Sequence, residues 1–286
     1  MRDEDNFYAA PEANLGPDPE MRSQPGAVEG APRTFGETFN VIIGLYSRAF
    51  APMFAISALW GFINGVCSYL VETRIDSLLF EGEGALVLAI SYFILFMGGM
   101  YFWIVGIKRI DNVYLDQPLG DEFALGVTKF FPVVVAYLLM GMISGFGLIF
   151  CIIPGIILGL LFFVSDVAVI IEDKGPIEGL QRSWNLVKGV ENWFYAFGLL
   201  MVAFLMIGIP AGILGAVVAV ITAADPVATN LLGGVITVLT FPLMLIVNYM
   251  IFQGLIARNE VVEYGAYGGT VEYDEPTGRG GDYEQW

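Results

Sequence analysis

Six long apolar stretches constrain this chain more than anything else in it. They run at about Phe50 to Val71, Ala85 to Ile107, Phe131 to Phe150, Pro154 to Ile171, Trp193 to Thr222 and Leu231 to Ala257. A helix rises about 1.5 Å per residue, so each can cross roughly 30 Å of hydrocarbon, the fourth with least to spare. The runs are continuously apolar and lack the period-two alternation of barrel strands, which predicts helices. Helices also pair their own backbone groups, as any segment dissolved in lipid must. With 56% hydrophobic and 15% charged residues and a mean hydropathy of +0.69, the chain lies outside the range of soluble domains. The expected fold class is an all-α integral membrane protein with six transmembrane helices.

Threading six spans puts every Lys and Arg except Arg74 on the side of the N-terminus. The positive-inside rule then predicts that both termini are cytoplasmic. One span more or fewer would scramble that asymmetry. The net charge of −16 belongs mostly to the ends: residues 1–37 and 258–286 hold 15 of the 29 acids but only 5 of the 13 bases. Such acidic tails are repelled by anionic lipid and by nucleic acid, so nucleic acid is not an expected partner. Met1 does not open a basic start with a short apolar core, so no cleavable signal peptide is expected and the first span serves as insertion signal.

Three units follow along the chain. Residues 1–33, rich in Pro and acid, read as a disordered tail. Residues 34–258 form the six-helix membrane domain, and residues 259–286 read as an acidic, Gly- and Tyr-rich tail. Tyr264, Tyr267, Tyr273, Tyr283 and Trp286 leave open a docking role for that tail. Within the membrane domain, Thr34 and Glu37 match a capping box. Phe35, Phe39, Ile42, Ile43, Tyr46 and Phe50 then recur at helical spacing opposite Glu37, Asn40, Ser47 and Arg48, which predicts an interfacial amphipathic helix.

That arrangement returns twice. Gly120-Asp121-Glu122-Phe123 echoes Gly36-Glu37-Thr38-Phe39, with Phe123, Val127 and Phe130 on one face before Pro132. Pro176 then opens a helix whose Ile177, Leu180, Trp184 and Val187 face away from Glu178, Gln181, Arg182, Asn185 and Lys188, with Gly189 as its stop. The six spans are thus expected as three hairpins, each preceded by a cytoplasmic interfacial amphipathic helix. Arg48, Arg182, Trp184, Lys188 and Trp193 are the expected interfacial contacts. Short basic loops being amphipathic without any repeat is the competing explanation.

Pro154-Gly155-Ile156-Ile157, Val169 to Pro176, Leu180-Gln181-Arg182-Ser183-Trp184, Lys188-Gly189 and Asn192-Trp193 form a recognisable pattern. It resembles a broad group of prokaryotic six-helix membrane proteins that includes the membrane domain fused to glycerophosphodiester phosphodiesterases. The resemblance implies a fold and a bacterial cytoplasmic (inner) membrane, and it carries no catalytic residues over. No segment outside the membrane body is long enough to be a phosphodiesterase domain, and the acidic tails depart from the group's pattern.

Candidate chemistry is sparse. The chain has no histidine, the commonest metal ligand and general base, and its two cysteines cannot build a tetrahedral metal site alone. No lysine lies inside a span, so a retinal-type Schiff base is not expected either. No catalytic, cofactor or metal residues are therefore expected. Asp166 is the one acid well inside a span, a default candidate for proton carriage or solute contact. Alternatively it reaches water or Arg182, or is protonated and bonded to its neighbours. Pro210 and Pro242 interrupt spans five and six near mid-membrane and, with Asn248 and Gln253, outline a broken-helix pathway or else simple packing kinks. Gly-x-x-x-Gly patterns begin at Gly61, Gly141, Gly155 and Gly208 and permit close helix approach. Cys67 and Cys151 both map towards the outer side, as a disulfide or as free thiols. The expected function is a non-catalytic structural or accessory component of a membrane assembly, touching lipids and membrane-protein partners or itself. A transporter or channel for a small or lipid-like solute is the alternative.

Overall fold

Thr34 and Glu37 start the first helix as their spacing predicts: Glu37 N donates to Thr34 Oγ1 at 3.3 Å, and Thr34 N donates back to Glu37 Oε2 at 3.1 Å. The computed structural model describes residues 31–81, 85–222 and 225–266, with side chains accounted for in 31–74, 85–222 and 225–259. The elements are α1 (Phe35–Glu81), α2 (Ala85–Tyr114), α3 (Glu122–Phe150), α4 (Ile152–Leu161), α5 (Ser165–Ile171), α6 (Pro176–Val187), α7 (Val190–Ile221) and α8 (Pro226–Ala266). Six segments are long and apolar enough to cross a membrane, with α4 and α5 together making the fourth. The protein is an all-α, multi-pass membrane protein.

The spans pair as hairpins, α1 with α2, α3 with α4 and α7 with α8, and α1 also packs along α8 in the most extensive contact among the described residues. Gly61 and Gly65 on α1 make that contact close. A Cβ on Gly61 would sit 2.5 Å from the Gly234 carbonyl, and one on Gly65 would sit 2.9 Å from that of Asn230. Gly155 likewise meets α3 at Leu148. Gly141, by contrast, has open space around it.

Packing is uneven along the bundle. Every residue of α8 from Leu245 to Ala257 is buried, so this stretch is the centre around which α1, α2, α5, α6 and α7 gather. Towards the opposite end α7 is mostly exposed: it buries only Tyr195, Ala196 and Leu199, all near its start. Ile149 and Phe150 at the end of α3 and Val220 and Ile221 at the end of α7 are exposed, as expected for surfaces solvated by lipid.

The segments before spans one and three are helical but continuous with those spans, as the first turns of α1 and α3. With 47 residues α1 is about 70 Å long, more than twice a hydrocarbon core, and projects beyond it. Only the third segment is a separate helix, α6. Its buried face is Gly179, Leu180, Ser183, Leu186 and Val187, while Ile177 and Trp184 are exposed on its flank. The apolar stripe expected from spacing is therefore rotated, because small residues at 179 and 183 let α6 approach α5. A further difference lies at the C-terminus: α8 continues as helix through Ala266, past Arg258 where a tail was expected. The tail residues 1–30 and 267–286 lie outside the described residues.

Candidate functional site

Span four is broken at Phe162–Val164, with no proline at the break. Phe163 N bonds the Leu160 carbonyl at 3.3 Å and Ser165 N bonds that of Phe162 at 3.1 Å, a tightened turn with three-residue spacing. Ser165 N is thereby withdrawn from its helical acceptor, the Leu161 carbonyl. The fully buried Ser183 of α6 supplies the missing donor at 2.7 Å. Gly179, one turn earlier, makes this reach feasible: a Cβ there would lie 2.9 Å from the Ser165 carbonyl and 2.5 Å from Val169 Cγ2. Helix α6 is thus docked into the break.

The turn places Asp166 in the first turn of α5, 2% exposed. Its Oδ2 accepts from Trp103 Nε1 on α2 at 2.6 Å, Tyr137 Oη on α3 at 3.0 Å and Asn248 Nδ2 on α8 at 3.3 Å. Three neutral donors converge on one carboxylate oxygen and join four spans. Among the described residues no Lys or Arg forms an ion pair with it; Arg182 turns instead to Glu172, at 2.8 Å. Asn248 gives its amide nitrogen to Asp166, and its Oδ1 is buried without a partner.

Next to this cluster, a cavity of about 400 Å³ opens between α2 and α7 over α8. Trp60, Phe96, Trp103, Tyr137, Ile207 and Phe241 are among its walls. Thr237 and Thr240 also line it, but both hydroxyls donate to carbonyls of their own helix. A second cavity of about 260 Å³ shares Trp103, Ile207 and Met244 with the first and reaches Asn248. Helices α2 and α7 do not approach each other among the described residues, so the combined groove is open sideways.

The basic end of the bundle, where the chain reverses between α2 and α3 and around α6, is laced by ion pairs. Arg109 meets Glu122 at 3.2 Å and donates to the Pro52 carbonyl at 2.9 Å, tying α2 to α3 and α1. Glu122 is fully buried and also accepts from Asn112 and Gly120. Asp111 takes Lys108 at 3.0 Å and the Tyr249 hydroxyl at 2.8 Å. Arg48 meets Asp116, Lys129 meets Asp173, Arg182 and Lys174 share Glu172, and Arg258 lies near Glu191 and over the Tyr195 ring. Much of this end's positive charge is spent inside the protein.

Of the residues singled out from sequence, the structure brings Asp166 and Asn248 together. Gln253 donates to Tyr249 at 3.0 Å, one turn away in a different cluster. Pro210 is exposed on α7, Pro242 is buried within α8, and neither helix is broken at its proline. The break falls in span four instead, where a side chain from α6 compensates it. Lys188 bonds Asn185, Trp184 packs on Phe162, and Trp193 stacks on Phe197 at 5.1 Å. Cys67 and Cys151 are free, the first buried and the second exposed. Trp103, Tyr137, Asp111 and Glu122 are absent from the sequence-derived set. The two aromatics are indistinguishable by pattern from their apolar neighbours, and the two acids sit at helix ends where a solvated charge is the ordinary expectation.

The chain matches no family model, no curated protein and no solved structure.

Proposed function

We propose that this protein is a non-catalytic accessory component of a membrane assembly, seated in a bacterial cytoplasmic membrane with both termini cytoplasmic. The observation that carries the reading is the sideways-open, aromatic-walled groove between α2 and α7. Such a surface is wetted by lipid chains or covered by an apolar partner helix, and it gives water no run of hydrogen-bonding groups. The ion-paired basic end supports the same reading, because its helices are fixed to one another rather than left to move past each other. Orientation rests on the distribution of Lys and Arg, and the bacterial membrane rests on the resemblance carried by residues 154 to 193.

Transport of a small or lipid-like solute is the second reading, favoured by the position of the Asp166 cluster beside the groove. Extraction of the full chain in native lipid nanodiscs, followed by identification of what accompanies it, separates the two. Stoichiometric membrane-protein partners are expected for an accessory component. A protein recovered alone, with saturable solute binding, would overturn that reading.

A further inference from the structure

Three features converge on the inner wall of the groove. Asn248 is 2% exposed, lines the smaller cavity and carries a buried acceptor oxygen with no donor. Behind it, Asp166 makes no ion pair among the described residues, although a carboxylate in a membrane interior ordinarily calls for a compensating cation. In front, the smaller cavity is walled by Trp103, Phe163 and Phe204, and aromatic rings attract cations. A buried acceptor lacking a donor, a carboxyl group without a cationic partner among the described residues and an aromatic wall ask for the same chemistry.

We propose that this groove binds an amphiphile with one apolar chain and an ammonium head, taken from the lipid phase. The head donates N–H to Asn248 Oδ1 and supplies the positive charge that faces Asp166 through the Asn248 amide. The chain lies along Met244, Ile207 and Phe241. The proposal rests on the lipid-contact reading above and names the occupant. Its failure would leave recovery of protein partners untouched, so the two are separable.

The test uses the full chain in phosphatidylcholine nanodiscs, with adducts counted by native mass spectrometry across titrations of dodecylammonium, dodecyltrimethylammonium and dodecanol. The first offers charge and N–H donors, the second charge alone, the third a neutral donor. Dodecylammonium is expected to bind about tenfold or more tightly than either of the others, the scale of one hydrogen bond to a charged group. Asp166→Asn is expected to erase its advantage over dodecanol, and Asn248→Leu its advantage over dodecyltrimethylammonium. Met244→Trp, an exposed position that lines both cavities, places an indole where they join and is expected to abolish binding of all three. Equal affinities for the three probes on the unaltered protein, or no saturable binding, would overturn the proposal even if the Asp166 variant failed to fold. So would an ammonium preference that survives in Asp166→Asn, or binding unchanged by Met244→Trp.

Discussion

Arg109 reaches the Glu122 carboxylate on α3 and the Pro52 carbonyl on α1, and Glu122 has no exposed surface. Removing only the acid leaves a largely buried guanidinium, 13% exposed, with no carboxylate and only the Pro52 carbonyl and the Phe123 ring against it. Glu122→Leu is therefore expected to cost about 3–5 kcal/mol of unfolding free energy in mixed micelles, and Arg109→Met/Glu122→Leu to recover most of that. A double variant as unstable as the single would place the stabilisation elsewhere. Gly254 offers a second test at this scale. A Cβ there would collide with the Tyr195 ring and hydroxyl, whose oxygen bonds Thr38 at 2.7 Å. Gly254→Ala, which in an unconstrained helix would gain about 1 kcal/mol, is expected instead to lose about 1–3 kcal/mol. An unfolding midpoint at or above that of the unaltered protein would contradict this packing.

Among elements, α6 shows best what could and could not be read in advance. Pro176 and Gly189 mark its limits, and its separation from the spans was legible in those two residues. Its seat was not, because the break it fills at Phe162–Val164 has no proline or glycine to announce it. Ser183 matters only through the Leu161 carbonyl that the break sets free. Ser183→Ala is expected to cost about 1–3 kcal/mol, and Gly179→Val to undock α6, seen as faster hydrogen exchange of its amides. Unchanged exchange in Gly179→Val would show that α6 does not depend on this approach. The Gly-x-x-x-Gly patterns divide for a similar reason. Gly61 faces another backbone and Gly141 faces open space, a distinction the spacing alone does not contain. Gly61→Leu is expected to destabilise the purified protein and Gly141→Leu to leave its unfolding midpoint unaltered.

At the scale of the molecule, the number of spans and their pairing into hairpins were legible because lipid imposes length and apolarity on each segment separately. The Asp166 cluster was only half legible. Asp166 stood out as an acid in a span, but its partners come from three other helices and include a Trp and a Tyr that any apolar span could contain. The groove was not legible at all, since it exists only because α2 and α7 do not meet among the described residues. What fills it decides between a lipid-contact surface and a water-filled pathway. Met100 lines its wall. The direct measurement is collisional relaxation of a nitroxide attached to Met100→Cys, in full-length protein with Cys67 and Cys151 replaced by Ser, in lipid nanodiscs. High accessibility to oxygen with low accessibility to a water-soluble nickel chelate is predicted, the signature of a lipid-filled groove. Accessibility to the chelate matching that of an aqueous loop position would contradict the account and favour a water-filled pathway.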